Sequence, residues 1–137
     1  MKNLLIITYV IFFGTAVANG QNYIGLNQST ILKRFGTPDS TGANYFVYID
    51  SQEEGTNTYF FDDKNNCEAF VITRTSIYYP DYQRQLNKDF TKTLENTYVY
   101  KSKKLNLKAE LAQTSNEFQI RITNTNSNTY VQNIVEN

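Results

Sequence analysis

The chain has 137 residues, with 13 Lys plus Arg against 13 Asp plus Glu, no His, no Trp and a single Cys. That length suits one small domain around one core, and the balanced charge excludes the basic footprint that nucleic-acid binding needs. The missing His removes the commonest general base and transition-metal ligand, and a lone Cys excludes an internal disulfide.

Residues 1–18 have the layout of a secretory signal peptide. Lys2 supplies the positive start, residues 4–13 are almost unbroken apolar, and Ala16-Val17-Ala18 offers small residues at A-x-A spacing. The run decays into Gly14, Thr15, Asn19 and Gly20, well short of the about 20 apolar residues that a membrane span requires. Export with cleavage near Ala18 follows. The residue directly after the cleavage point is Asn19 and not a Cys that could carry a lipid, so no stable membrane anchor is expected afterwards. The mature protein is expected as a single α+β domain over 22–124, then a polar tail or short edge strand over 125–137.

The mature region opens with a helix whose ends are written in its residues. Gly25 permits a turn, Asn27 or Ser29 can cap the first amides, and Ile31, Leu32 and Phe35 form an apolar stripe. Gly36 stands where a left-handed C-terminal cap is wanted, and Pro38 forbids continuation. Two turns do not persist alone in water, so this helix must dock on something.

Three β-favouring runs follow, at 45–49, 56–61 and 67–75, separated by polar turns at 50–55 and 62–66. Connections this short make antiparallel neighbours. Tyr79-Pro80-Asp81 then opens a second helix, in which Tyr82, Leu86, Phe90 and Leu94 recur every four residues; its expected span is 80–95. A short strand is expected at 98–101. Beyond it Leu105, Leu107, Ala109 and Leu111 alternate with polar residues, as do Phe118, Ile120 and Ile122. That is a hairpin of half-buried strands. A last short strand is expected over 130–135. The expected fold is therefore α+β: two helix-β-β-β units making an antiparallel sheet with two helices on one face.

Gly25-Leu26-Asn27, Ile31-Leu32 and Phe35-Gly36-Thr37-Pro38 together resemble the opening helix of the BamE (SmpA/OmlA) small lipoproteins and of proteins with the β-lactamase-inhibitor-protein-like fold. Phe46-Val47-Tyr48 and Phe60-Phe61-Asp62 occupy the places of those families' aromatic strand and Phe-Asp strand end. The Phe-Asp-x-x-x-x-Cys closing also looks like small exported Bacteroidetes proteins. The resemblance covers residues 25–75. The lipid-bearing Cys is missing and the second half departs from the pattern, so membership of the barrel-assembly machinery does not carry over. What the resemblance implies is a scaffold that tends to bind proteins, with no catalytic residues.

Little in the chain points to chemistry. Cys67 lies in an apolar run and reads as a small buried hydrophobe. Glu53-Glu54 and Asp62-Asp63 fall in turns and read as solvated acids. The stretch from Asp62 to Asn66 superficially suggests a calcium loop, but its third position is Lys64 where a ligand is needed. No catalytic residue, cofactor or metal site is expected. Lys101, Lys103, Lys104 and Lys108 read as protection of an edge strand against unwanted pairing, with a patch for an acidic glycan or anionic headgroups as the other reading.

The aromatics, 11 Tyr and 9 Phe, carry the remaining signal. Alternation sets Tyr45, Val47 and Ile49 against Phe46 and Tyr48, and Phe60 against Tyr59 and Phe61, but it leaves open which set the helices cover. The resemblance implies that Phe46, Tyr48, Tyr59 and Phe61 face the helices. Tyr45, Val47, Ile49 and Phe60 then form an uncovered interaction surface. The expected function is a non-enzymatic exported module that binds an envelope or secreted protein, without nucleic acid. The alternative is a small-ligand or glycan binder using a tyrosine-rich sheet face.

Overall fold

Residues 23–101 and 106–125 are described by the computed structural model. The signal-peptide segment 1–18, Lys103, Lys104 and the strand expected over 130–135 lie outside them.

The first helix, α1 (Gln28–Phe35), has the expected ends. Asn27 Oδ1 accepts the Ser29 N–H at 3.0 Å. Gly36 adopts φ 79°, natural for glycine, and donates its N–H to the Leu32 carbonyl at 2.8 Å. Ile31 is fully buried beneath the helix. The segment ahead is tied to the sheet, because the Gly25 N–H donates to the Cys67 carbonyl and the Cys67 N–H to the Leu26 carbonyl, both at 2.7 Å. Those bonds position α1.

The strands are β1 (Ser40–Thr41), β2 (Tyr45–Asp50), β3 (Gly55–Phe61) and β4 (Cys67–Thr75). A 3-10 turn (Ser76–Tyr78) and α2 (Tyr79–Asp89) lead to β5 (Thr91–Leu94), β6 (Thr97–Lys101), β7 (Asn106–Gln113) and β8 (Glu117–Asn124). All form one eight-stranded antiparallel sheet in the order β1-β2-β3-β4-β8-β7-β6-β5. This overturns the α+β architecture of two helix-β-β-β units. Each half supplies four strands, the halves fuse along β4 and β8, and the helices are short, of 8 and 11 residues.

Two strands escaped the sequence reading for separate reasons. β1 has two residues, too few to show any period. It is held by the Asp39 N–H on the Val47 carbonyl at 2.9 Å and the Gly42 N–H on the Tyr45 carbonyl at 3.0 Å. β5 was hidden inside the expected second helix. A spacing of four overshoots the 3.6-residue turn, so over three repeats Leu94 drifts about 120° from Tyr82. The helix stops at Asp89, Phe90 turns extended at φ −119°, ψ 161°, and Leu94 is 71% exposed. Asn96, at φ 62°, reverses the chain into β6. Among the described residues β5 rather than β6 is therefore the sheet edge of this half, and the expectation that Lys101 and Lys108 guard an edge strand is corrected, since they stand on β6 and β7. Lys108 on β7 instead pairs with Glu110 at 3.3 Å.

One face of the sheet carries the core. Register places Tyr59, Phe70, Ile122, Ala109 and Tyr98 in one row across five strands, all buried. Phe35 of α1 stacks on Tyr59 with ring centroids 5.6 Å apart. Tyr79 and Tyr82 of α2 meet Phe118 at 5.5 Å, and Phe90 meets Tyr100 at 5.7 Å. Both helices thus pack against this face. Each ring removed from water there contributes about 1.5–3 kcal/mol. The central strands are buried on the other face too, where Ala69, Val71 and Thr123 sit beside the longer Phe60, Arg121 and Lys108. Among the described residues no helix is long and apolar enough to cross a membrane.

Candidate functional site

The sequence-derived surface residues fall together. Tyr45 pairs with Phe60, Val47 with Thr58 and Ile49 with Thr56 across β2 and β3, on the face opposite both helices. Tyr45 and Phe60 rings lie 5.8 Å apart. Tyr45, Val47 and Phe60 are half-buried, whereas Ile49 is 62% exposed. The Tyr45 ring also lies over Gly42, where a Cβ has no room, so a glycine in the β1–β2 turn seats this ring. The other set, Phe46, Tyr59 and Phe61, is buried on the helix side, and the Tyr48 hydroxyl there donates to the Gly36 carbonyl at 2.9 Å.

A second assembly lies at the far end of the sheet. Arg74 has the core-facing parity of Phe70 and Ile72 and is 1% exposed. Its Nε donates to Glu53 Oε2 at 2.8 Å, and Nη1 donates to the Thr56 and Thr73 carbonyls at 3.0 and 2.9 Å. Nη2 donates to Asp50 Oδ2 at 3.2 Å and to Asn57 Oδ1 at 2.9 Å. These bonds use every donor a guanidinium has. Asp50 Oδ1 in turn accepts the N–H groups of Gln52 and Glu53 at 3.0 and 3.1 Å, shaping the β2–β3 turn. The Tyr82 hydroxyl donates to Glu53 Oε2, and the Arg74 guanidinium carbon sits 5.8 Å from the Tyr82 ring centre. Burial, then the bond to the Glu53 carboxylate, holds the Tyr82 phenol well above its ordinary value, so it keeps the proton that it donates to Glu53.

The reading of Glu53 as a solvated turn acid is therefore corrected, since it is bound by Arg74 and Tyr82. Its signal was available. An Arg at a core-facing position of an apolar strand must find carboxylates or carbonyls, and the β3–β4 register decides that Asp50 and Glu53 supply them. Asp62 behaves as a turn residue, its Oδ1 accepting the Lys64 and Asn66 N–H groups at 2.9 Å each.

Between α2 and the β2–β3 turn lies a cleft of about 310 Å³, walled on the turn side by Glu53 and on the helix side by Tyr78, Asp81, Tyr82, Arg84, Gln85 and Lys88. Asp81 pairs with Arg84 on the helix surface, and the Tyr78 hydroxyl donates to the Gln52 carbonyl at 3.3 Å. Gln85 Oε1 is buried without a hydrogen-bond partner. Sequence reasoning missed this cleft, because its two walls are about thirty residues apart in sequence and only the tertiary fold brings them together.

Cys67 is 2% exposed and its Sγ–H donates to the Ala69 carbonyl at 3.4 Å. Burial pushes its thiol up to about 12, so at neutral pH it is protonated and a poor nucleophile. Among the described residues no group of three His, Cys, Asp or Glu side chains is placed to hold a metal ion.

No family model matches the chain, and no curated protein matches it. Among solved structures, the chain is similar to a DUF4309 family protein (YjgB) from Bacillus subtilis. The TM-score is 0.45 and the identity 12%, covering 72% of this chain and 78% of the other.

Proposed function

We propose that this chain is an exported, non-enzymatic domain that binds another protein of the cell envelope or secretome through the sheet face opposite its helices. The observation that carries this reading is the in-register patch of Tyr45, Val47, Ile49 and Phe60, with Ile49 projecting into solvent. A flat strand surface with rings fixed by Gly42 and by each other presents anchors at little entropic cost. The signal-peptide layout of residues 1–18 supports export. The resemblance of residues 25–75 to protein-binding scaffolds supports the class of ligand. The protonated, enclosed Cys67 thiol and the engaged Glu53 carboxylate support a role without chemistry.

The test is capture from envelope extract on the immobilised mature domain, repeated with variants. Tyr45→Ala, Ile49→Ala and Phe60→Ala are expected to weaken a stoichiometric protein partner by about 2 kcal/mol where the residue is an anchor. Phe61→Ala, on the core side, is expected instead to cost about 3–5 kcal/mol of stability. A partner held equally well by all three patch variants, or capture of glycan in place of protein, refutes the reading.

A further inference from the structure

We propose that residues 126–137 of this chain dock on the patch of Tyr45, Val47, Ile49 and Phe60 and compete with a partner for it. The inference rests on the protein-binding reading of that face and adds its regulation: a partner must displace the chain's own segment.

Reach decides which segment can arrive. Register places Thr123, Ala69, Phe60 and Tyr45 in one row on neighbouring strands, so β8 ends level with the aromatic end of the patch. Strands lie about 4.8 Å apart, which puts Phe60 about 10 Å from β8 and Tyr45 about 14 Å. Thr125 lies two residues further along, so Phe60 is about 12 Å from it and Ile49 about 25 Å. An extended chain covers about 3.4 Å per residue, so position 130 reaches about 17 Å from Thr125 and position 135 about 34 Å. Both ends of the patch are within range. The way across passes over Thr123 and Ala69, whose short side chains are buried and stand in no segment's path.

Composition decides which segment stays. The other stretches outside the described residues, once the signal-peptide layout is set aside, are 19–22 and 102–105, and between them they carry one large apolar side chain, Leu105. Tyr130, Val131, Ile134 and Val135 place four within six residues, and no charged residue stands in 126–135. The four patch residues are uncharged as well. Docking therefore takes apolar surface out of water on both sides and strands no ion. Ile49, at 62% exposure, is the patch residue with the most surface to lose. A second copy of the chain brings similar groups only at its bulk concentration, whereas a short tether holds the segment at an effective concentration on the order of 1 mM. At that concentration a contact with a Kd of about 0.1 mM is made about nine-tenths of the time.

The experiment places a nitroxide in the segment of the full mature chain. Asn133→Cys offers one reactive thiol, since Cys67 is enclosed and protonated, and the broadening of amide signals reports what the label approaches. Broadening is expected to be strongest in β2 and β3 and weak in α2, which packs on the opposite face. Adding Tyr130→Ser and Ile134→Ser is expected to remove it from β2 and β3 and leave it only beside Thr125. A synthetic peptide of residues 126–137, added to the unlabelled chain with both serine substitutions, is expected to shift the β2 and β3 amides with a Kd of about 0.1 mM. Broadening confined to the neighbours of Thr125, centred on β5, or unchanged by the serine pair overturns the proposal. Capture from envelope extract separates the two readings. The serine pair is expected to bind a captured partner about tenfold more tightly than the native chain, and equal affinity refutes the competition. Docking without any captured partner refutes the protein-binding reading alone.

Discussion

Replacing Arg74 by Met tests whether the buried guanidinium fastens the β2–β3 turn to the core. The substitution keeps the length of the apolar stem and removes all five N–H donors described above. It strands two carboxylates, the Asp50 side chain at 30% exposure and the Glu53 side chain at 23%, and leaves the Thr56 carbonyl without this donor. Removing one partner of a buried ion pair costs about 3–5 kcal/mol, and partial access of water to both acids argues for the lower end, about 3 kcal/mol. A domain of this size has about 5–15 kcal/mol in total, so the variant should still fold. Urea unfolding followed by circular dichroism, with a slope of about 1 kcal/mol/M, should show the midpoint lower by about 3 M. Arg74→Lys keeps the charge but offers three donors where five are used, and should fall between Met and wild type. Adding Glu53→Gln to Arg74→Met should recover part of the loss, because it removes a stranded charge. An Arg74→Met loss below about 1 kcal/mol, or a Lys variant as stable as wild type, refutes the reasoning.

Gly55→Ala drives a Cβ into the Thr73 carbonyl and to 2.8 Å from Arg74 Cδ, so it should lower the unfolding midpoint although the residue only opens β3 after the turn; a midpoint at the wild-type value contradicts the packing. Cys67 should resist an iodoacetamide pulse at pH 8 and label fully in denaturant, since its thiol is buried and pushed up to about 12; stoichiometric labelling of the folded protein within minutes contradicts that. Burial first, then Asp62 and Asp63, raises the Glu68 carboxyl above its ordinary value. The folded state therefore holds that proton more tightly, and the resulting penalty is absent below the unfolded value and grows as pH rises through the folded one. Glu68→Gln should accordingly stabilise the domain at pH 7 and lose that advantage near pH 3; an advantage of equal size at both pH values rejects electrostatics as its cause.

Local signals were the ones legible along the chain. Asn27 and Gly36 bound α1 because capping involves only neighbouring backbone groups. The hairpin of β7 and β8 follows from a period of two over residues 106–124. Period two also groups Tyr45, Val47 and Ile49 on one side of β2, as it would in any sheet. That Phe60 joins them depends on the β2–β3 register.

The rest belongs to contacts between distant segments. No local pattern announces that β8 pairs with β4 and so turns two meanders into one sheet; the pairing sets the buried Ile120 and Ile122 of β8 beside Ile72 and Phe70 of β4 at the centre. β5 looks helical from its spacing, and is a strand because α2 has no further core to cover after Phe90. Arg74 reads as one cation in a strand until the turn of Asp50 and Glu53 folds over it. The cleft beside Gln85 exists only because that fastened turn is held against α2, since a cavity belongs to neither of the segments that wall it.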